Sequence, residues 1–403
     1  MTHDATSARC VSCGMPLNYD RIIHGDAAKP ASADDGRCTV CRTGQTRQEE
    51  GDESHERLLD LCIRLAQGKR GWVRRLSSAV ARLPGVGQTR VGALANILSS
   101  VPARTDASKY DAMVLYSGGK DSTYMLVQLA KKGLRVCAWM LDPGYQSPQA
   151  IRNAENLTRS LGVPLIVEKK DKVMADGLFR AGFAIDRHSD TELVKGAMTF
   201  GSACWPCFSL IAVSACRFAD EHQIPLCFIG TQRGQNRLNL EGGDVLTSTA
   251  LPKVSSLVSR FVKPFRRALP APVPELALDA EESTFPTVLI PFYEFVAKPE
   301  REQQIRAIEA YGWSLPKNTG SCSSNCMINE LGRAVMRTRF DFDLYDVIDA
   351  NERRLGNPAD PHAAQGPDPT AVALGATLIN LTDQEKKVFK IHPLREAKSA
   401  QHQ

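Results

Sequence analysis

The sequence predicts an α/β protein built on a doubly wound parallel sheet, with a cysteine-rich segment before the sheet and a helical region after it. Residues 110–235 alternate apolar runs of strand length with helical segments, which is typical of a parallel sheet covered on both faces. A Gly-rich turn follows the first apolar run and opens a helix. Two pairs of cysteines precede this alternation, in a stretch with few apolar residues.

The composition is that of an ordinary globular protein. The chain has 403 residues, 43% of them hydrophobic and 24% charged, with a net charge of +5, and this length suffices for two or three domains. No apolar run approaches the roughly 20 residues that cross a bilayer, and the polar first residues lack the apolar core of a signal peptide. We therefore expect a cytoplasmic protein without a membrane segment, whose twelve cysteines serve as metal ligands or reactive thiols.

Changes of composition divide the chain. We expect a four-cysteine ribbon, a helical connector, the parallel-sheet domain, a Pro-rich linker, a C-terminal helical part that completes the site of the sheet domain, and a tail. In that order the predicted bounds are 1–46, 47–109, 110–240, 241–285, 286–355 and 356–403.

The first segment carries two Cys-x2-Cys pairs, Cys10 with Cys13 and Cys38 with Cys41. Each pair presents two thiolates at a spacing that suits tetrahedral zinc, although the intervening loop is longer than the usual ~15–20 residues. So few apolar residues cannot form a core, and a metal would have to replace one. The pattern predicts a structural Zn²⁺ ribbon; rubredoxin-like iron and unliganded thiols are the alternatives.

The connector contains one helical face, a basic cluster from Lys69 to Arg75 around Trp72, and the turn Leu83–Gly87. This turn resembles the hairpin of helix-hairpin-helix modules, whose backbone amides contact nucleic-acid phosphates. The match departs at Val91, where those modules usually carry Ala. The alternative is an ordinary Pro-Gly turn between two packing helices.

Four strands are predicted in the sheet domain. Because the carboxyl ends of parallel strands meet at one edge, Ser117–Ser122, Asp142 and Gly230-Thr231 should lie together there. The backbone N–H groups of the Gly-rich turn and of the helix that follows would bind an anion, most naturally a phosphate. The strands are predicted over Ala112–Tyr116, Val136–Leu141, Pro164–Val167 and Pro225–Ile229, with helices over Ser147–Leu161 and near Ser209–His222.

The Gly-rich turn reads Ser117-Gly118-Gly119-Lys120-Asp121-Ser122. It lacks the spacing of a Walker A loop and resembles the SGGKDS signature of the PP-loop (N-type ATP pyrophosphatase) superfamily, which has an adenine nucleotide α-hydrolase-like fold and cleaves ATP between its α and β phosphates. The resemblance implies ATP and Mg²⁺. Lys120 and the metal would spread the developing charge, Asp121 is the nearest Mg²⁺ ligand, and Ser117 and Ser122 would bind phosphate oxygens.

The same resemblance implies that the acid after the second strand and the glycine after the fourth flank the nucleotide. Asp142 and Gly230, followed by Thr231, occupy those places. Asp142 has an alternative role, which is to cap the turn that follows it.

Two further cysteine pairs follow, Cys204 with Cys207 and Cys322 with Cys326. They resemble the cysteines of tRNA-thiolating PP-loop enzymes, where a Cys-x2-Cys and one distant cysteine hold an iron–sulfur cluster. The resemblance implies that Cys204, Cys207 and either Cys322 or Cys326 bind a 4Fe-4S cluster. A persulfide-bearing nucleophile, a second zinc, or buried thiols are the alternatives. Three other cysteines lie in apolar stretches and are predicted to be core: Cys62, Cys137 and Cys227.

Cleavage between the α and β phosphates activates an oxygen by adenylation but does not define the nucleophile. The favoured hypothesis is thiolation, with sulfur from a desulfurase partner. The second is amide formation with ammonia from a partner glutaminase, because Asp35-Gly36-x-Cys38, Tyr110-Asp111 and Cys204-x2-Cys207 also resemble N-acetyl sugar amidotransferases, although the C-terminal third matches that family poorly. A nucleic-acid-binding module is the third. The acceptor is expected to be a small molecule or RNA, and the assembly a homodimer.

Overall fold

The computed structural model describes residues 8–24, 35–43, 53–86, 89–236, 251–323 and 325–391. Five strands form one sheet in the order β3-β2-β1-β4-β5, and every pairing is parallel. The central strand β1 pairs Ala112 with Val136 on one side and with Leu226 on the other. The predicted doubly wound sheet is therefore confirmed. The strands are β1 Ala112–Leu115, β2 Val136–Asp142, β3 Leu165–Lys169, β4 Leu226–Ile229 and β5 Val288–Pro291.

The fifth strand differs from the sequence prediction, which stopped at four. Leu226 of β4 pairs with Val288, and the apolar run Val288–Pro291 extends the sheet by one strand. A short apolar run has no periodicity that separates a buried strand from a helix segment. In the folded chain, pairing with β4 makes the run Val288–Pro291 a strand.

Helices cover both faces of the sheet and form the terminal regions. Gly87 of the predicted hairpin and residues 241–250 of the predicted linker lie outside the described residues. The described α-helices are α1 Leu17–His24, α2 Thr39–Thr43, α3 Glu53–Ala66, α4 Gly71–Ala81, α5 Arg90–Ser100, α6 Lys120–Ala130, α7 Pro148–Leu161, α8 Lys172–Ala184, α9 Thr191–Phe200, α10 Cys204–Glu221, α11 Arg233–Asn236, α12 Ser255–Leu257, α13 Lys263–Phe265, α14 Phe292–Phe295, α15 Arg301–Glu309, α16 Asn329–Phe340, α17 Leu344–Arg354, α18 Pro369–Leu378 and α19 Asp383–Val388.

The two faces of the sheet are buried in separate apolar clusters. Alternate strand residues point to opposite faces, so Met113 and Trp139 pack with α10, while Val114 and Ala138 pack with α3, α6 and α7. A third cluster joins α16 and α18 to α8. Cys62, Cys137 and Cys227 are fully buried, which confirms their assignment to the core.

Residues 251–268 differ from the solvated connector that we expected. A π-helix over Val258–Val262 joins α12 to α13, and this segment packs against α10. The reason is that Val258, Phe261 and Phe265 recur at helical spacing and are buried. The high Pro and Lys/Arg content of the surrounding sequence concealed this apolar face.

The cysteine-rich segment lies against the C-terminal helices. Arg9 forms an ion pair with Asp346 at 2.9 Å, and Asn18 Nδ2 donates to the Phe340 carbonyl at 2.7 Å. Tyr19 contributes an edge-on contact to Phe342, with the ring centroids 5.8 Å apart.

No single helix in the described ranges has both the length and the apolar content to cross a membrane. One bent pair, α9 with α10 at 88°, meets those two criteria only when its members are taken together.

Candidate functional site

A cavity of about 280 Å³ opens at the carboxyl ends of the strands, between the turn after β1 and the loop after β4. The strand order reverses at this point, and open α/β sheets bind ligands there. Most of the predicted site residues meet in this one cavity. Those that line it are Ser117, Gly119, Asp121, Ser122, Cys204, Cys207, Gly230, Thr231, Cys322 and Cys326.

The turn after β1 depends on a glycine. Gly118 has a φ of +71°, and a Cβ there would lie 2.2 Å from the Ala150 carbonyl oxygen at the start of α7. The indole N–H of Trp313 donates to the Gly118 carbonyl at 3.0 Å. The turn is therefore pressed against α7 on one side and tied to the C-terminal region on the other.

Serine side chains close the turn on itself. The hydroxyls of Ser117 and Ser122 lie 3.1 Å apart, and Gly119 N donates to Ser117 Oγ at 3.3 Å. A Cβ on Gly230 would lie 3.5 Å from the Ser122 backbone, so the end of β4 approaches the start of α6 closely. The turn and the N-terminus of α6 lie together, as the sequence predicts, and helix N-termini of this kind bind anions; phosphate binding here stays a prediction.

Behind the turn, Lys120 and Asp121 form an ion pair of 2.7 Å, and Lys298 reaches the other carboxylate oxygen of Asp121 at 3.2 Å. Gln304 Nε2 donates to that second oxygen at 3.1 Å. Burial lowers the pKa of Lys120. Burial raises the pKa of Asp121, but Lys120 and Lys298 outweigh it and hold that pKa well below its usual range.

Asp121 was predicted as an Mg²⁺ ligand. Its carboxylate lies between Lys120 and Lys298 and so holds two positive charges beside the Gly-rich turn after β1. The Mg²⁺ role stays a prediction. Lys298 and Gln304 were missed by the sequence reasoning, because they belong to a distant region and form no local motif.

Asp142 ends β2 but does not line the cavity. Its Oδ1 accepts a hydrogen bond from Gly144 N at 2.9 Å, which is the turn-capping geometry weighed as the alternative. A nucleotide role for Asp142 stays a prediction.

The later cysteines reach the cavity from two directions. We predicted that the helix after the first pair begins near Ser209. It begins at Cys204 instead, so Cys204 and Cys207 lie in the first turn of α10. Trp205 extends the helix because it is fully buried and its indole N–H donates to the Phe261 carbonyl at 2.9 Å.

Cys326 lies near this pair. Burial, together with the nearby Cys326, raises the pKa of Cys204 to about 12. Cys322 has a different environment, with its Sγ 3.5 Å from the His362 carbonyl oxygen. Cys326 lies close enough to add to burial in raising the pKa of both Cys204 and Cys207, whereas Cys322 contacts the His362 carbonyl. Which of Cys322 and Cys326 would be the third ligand stays a prediction.

Two aromatic side chains in the cavity wall have no counterpart in the sequence predictions. The hydroxyl of Tyr145 donates to Asp176, and Lys172 Nζ lies 4.9 Å from the Tyr145 ring centroid. Tyr345 donates to Asn329 Oδ1 at 3.0 Å, and the Arg333 guanidinium lies 5.5 Å from its ring centroid. Nothing in the sequence marks either tyrosine, since each acquires its partners only through tertiary contacts.

A buried ionic group supports Tyr345 from below. Arg333 donates to Glu330 at 3.0 Å and to Asp343 at 3.1 Å, and all three side chains are almost fully buried. Breaking such a buried pair costs about 3–5 kcal/mol, because the charge that remains has no partner. This group holds α16 and α17 in fixed positions at the cavity edge.

The four N-terminal cysteines form a separate site. Cys10, Cys13, Cys38 and Cys41 bring their sulfurs within 4.8 Å of one another, and the Sγ atoms of Cys13 and Cys38 are 3.8 Å apart. Tetrahedral coordination with metal–sulfur bonds of about 2.3 Å places sulfurs about 3.8 Å apart. Within the described ranges this is the one group of three or more Cys, His, Asp or Glu with such spacing. The site can hold a metal ion and is closed by four ligands.

Comparison with known proteins gives a partial match. Residues 111–204 match the family model described as phosphoadenosine phosphosulfate reductase domain. The chain is 37% identical over 67 residues to the 7-cyano-7-deazaguanine synthases of two Leptospira interrogans strains, Fiocruz L1-130 (serovar copenhageni) and 56601 (serovar Lai). Those 67 residues are 17% of this chain and 28% of each relative, so the chain spans little more than a quarter of the curated relatives it matches.

The family match includes β1 and the whole turn that follows it, and it agrees with the parallel sheet and with the SGGKDS residues. The sheet domain of this chain is a PP-loop domain of the adenine nucleotide α-hydrolase-like fold.

Proposed function

We propose that this protein cleaves ATP to AMP and pyrophosphate, adenylates a carbonyl or amide oxygen of its substrate, and replaces that oxygen with sulfur. One observation carries the proposal: the phosphate-binding turn and four cysteines line the same cavity. Sulfur chemistry and ATP activation would then occur on one substrate without its release.

The first step is attack of the substrate oxygen on the α-phosphorus of ATP. The bond from that phosphorus to the bridging oxygen breaks, and pyrophosphate leaves with the electron pair. The turn amides and the Lys120 ammonium would stabilise the charge that develops on pyrophosphate. Lys298, which shares Asp121 with Lys120, would add a second positive charge. Mg²⁺, when bound with ATP, would screen the phosphate oxygens.

In the second step a sulfur nucleophile, supplied as hydrosulfide equivalent by a desulfurase, attacks the activated carbon. The carbon–oxygen bond breaks, and the original oxygen leaves on AMP. Cys204, Cys207 and Cys326, or Cys322 in place of Cys326, are the residues that would hold a 4Fe-4S cluster, which would supply an open iron position to carry sulfur. Without a cluster, a desulfurase would instead transfer sulfane sulfur to one of these cysteines as a persulfide, whose outer sulfur would attack the activated carbon as AMP leaves. A second cysteine thiolate would then attack the cysteine-side sulfur of the resulting disulfide and release the thiolated substrate. The cysteine–cysteine disulfide left behind would be reopened by a thiol reductant.

The site of Cys10, Cys13, Cys38 and Cys41 is proposed to hold structural Zn²⁺. Its four sulfurs leave no open position for chemistry, and the ion would fasten the N-terminal segment to the C-terminal helices.

The test is the content of zinc, iron and acid-labile sulfide in protein purified without oxygen. About one zinc, four iron and four sulfide per chain are expected for a closed four-cysteine site beside a 4Fe-4S cluster. Zinc without iron or sulfide would remove the cluster from the proposal. AMP release that depends on sulfide, in the presence of a cell extract as the source of acceptor, would support sulfur insertion.

Amide formation is the second candidate. Uncharged amide side chains line the cavity, among them Gln146, Gln232 and Asn329, and they suit a neutral, hydroxyl-rich acceptor such as an N-acetyl sugar. AMP release that depends on ammonia or on a glutaminase, and not on sulfide, would favour this function over thiolation.

A further inference from the structure

The helical hairpin α4–α5 exposes apolar side chains that a folded protein normally covers. The exposed fractions are 64% for Trp72, 56% for Leu76, 53% for Leu83 and 61% for Val91. Neighbours on the other side of these helices are buried, such as Ser77 on α4 and Ile97 on α5. The hairpin therefore packs against the sheet domain through one side and presents a second, partly apolar side to solvent.

The exposed side of α4 repeats at helical spacing. Trp72, Arg75, Leu76 and Ala79 are all exposed; Arg75 and Leu76 follow Trp72 by three and four residues, and Ala79 follows them by four and three. Beyond the helix, Arg82 and Leu83 continue this stripe. Apolar and cationic side chains thus alternate along a single face.

The charge of this region has one sign. No Asp or Glu occurs between Asp60 and Asp106. Within the described part of the chain, the basic residues of the hairpin form no ion pair with an acidic side chain. These basic residues are Lys69, Arg70, Arg74, Arg75, Arg82 and Arg90.

We propose that the exposed residues Trp72, Arg75 and Leu76 of α4, with Arg82 beyond its end and Arg90 at the start of α5, bind single-stranded nucleic acid. Arginines without acidic partners match a phosphate backbone. The exposed indole of Trp72, one turn before Arg75, supplies a stacking platform for an unpaired base. Proteins that bind single strands combine such aromatic platforms with positive charge. This binding activity does not depend on ATP and goes beyond the proposed function of the cavity.

Two other occupants fit these residues less well. A second copy of the chain, docked through the same residues, would bring like charges together without compensation. Binding to an anionic membrane scales with the apolar area that enters it, and the exposed band of α4 offers few large apolar side chains, Trp72 and Leu76, with Arg75 at its edge.

The experiment measures binding of the full chain to a fluorescein-labelled 20-nucleotide poly(U) RNA by fluorescence anisotropy, without ATP, over a range of salt concentrations. The variant Arg75→Gln/Arg82→Gln/Arg90→Gln removes the three cations of the proposed site. We expect its slope of log K against log salt to be shallower by about 2, since each phosphate contact to a single strand contributes about 0.7. Trp72→Ala should weaken binding by about tenfold through lost stacking.

The matched control is Arg57→Gln/Arg159→Gln/Arg217→Gln, which removes the same charge from exposed arginines on other helices. It should bind RNA nearly as wild type does. Circular dichroism and ATP-to-AMP turnover of all variants report the fold and the cavity separately, so failure of this inference and failure of the proposed function are distinguishable.

Equal loss of binding in both triple variants would overturn the inference, because it would reflect net charge alone. Absence of RNA binding by the wild type would also overturn it. Binding to vesicles of phosphatidylglycerol and phosphatidylcholine, without binding to RNA, would overturn it in favour of a membrane surface.

Discussion

Arg354 Nη2 donates a hydrogen bond to Cys38 Sγ at 3.0 Å, and it does so from the last turn of α17. The same guanidinium donates to Asn351 Oδ1 at 2.8 Å, and Asn351 in turn donates to the carbonyl of Gly234 in the short helix α11, which follows β4. Tyr345, near the start of α17, lines the cavity. The four-cysteine site is thus connected through one helix to the edge of the candidate nucleotide site.

Replacing Arg354 should weaken metal binding. In Arg354→Leu the thiolates lose a buried cation that hydrogen-bonds to them, and outer-shell changes of this kind cost about 10- to 100-fold in metal affinity. Competition with a chromogenic chelator measures the change. Arg353→Leu is the matched control, since Arg353 pairs with Asp349 at 2.8 Å. Equal metal affinity in the two variants would contradict the contact's role.

Lys120→Ala should reduce ATP-to-AMP turnover by at least about 100-fold, because the variant lacks the charge placed to stabilise departing pyrophosphate. The rise in melting temperature with a non-hydrolysable ATP analogue should shrink as well. Lys131→Ala, at the exposed end of the same helix, serves as control. A fully active Lys120→Ala enzyme would refute the assignment of this turn.

Gly118→Ala should displace the phosphate turn. The new Cβ meets the Ala150 carbonyl at 2.2 Å, and φ is +71°. Gly162→Ala provides the control, because Gly162 has a φ of +64° and no atom lies within 4 Å of the position that its Cβ would take. The control should cost about 1–2 kcal/mol of unfolding free energy from backbone conformation alone. Gly118→Ala should lower the unfolding free energy by more than the control does and should abolish ATP binding. Equal losses of unfolding free energy in the two variants would show that the turn shifts without penalty.

The cysteines of the cavity should differ in importance. Cys326→Ser should lose iron, sulfide and sulfur-dependent AMP release, because Cys326 lies with Cys204 and Cys207. Cys322→Ser, the matched control in the same loop, should retain most of all three. The opposite pattern would make Cys322 the third ligand.

Asp111 should make stability depend on pH. Burial raises the pKa of Asp111, but hydrogen bonds and charge from Arg135 and Arg104 outweigh it, so the pKa lies below its ordinary value of 3.8. The folded state therefore holds this proton less tightly than the unfolded state, and the stabilisation is present above about pH 4 and lost as the pH falls further.

Asp111→Asn should lower the unfolding free energy by about 1.5–3 kcal/mol at pH 7 and flatten its decline between about pH 5 and pH 3. Denaturant titrations at several pH values measure both effects. Asp106→Asn, at an exposed position nearby, should follow the wild-type curve. A wild-type slope in Asp111→Asn would place the pH dependence elsewhere.

The local sequence was sufficient to predict the phosphate turn, the first four strands and the two N-terminal cysteine pairs. Each of these depends on neighbours within a few residues: a glycine that must take a positive φ, apolar runs of strand length, and thiols at ligand spacing. The fold class and the anion-binding turn follow from such short-range constraints together with the rule that parallel strands end at one edge.

Only the tertiary structure shows which distant side chains contact the turn after β1 and the N-terminal cysteines. Lys298 and Gln304 reach Asp121, Trp313 reaches Gly118, and Arg354 reaches Cys38. No periodicity or spacing encodes these contacts, because burial and long-range packing select the partners. The role of Asp142 was also open in the sequence, and in the folded chain its carboxylate accepts a hydrogen bond from Gly144 N in the turn that follows it. Packing likewise brings Cys326 close to Cys204 and Cys207. Short-range sequence determined the chemistry of the parts, and long-range packing decided which parts meet.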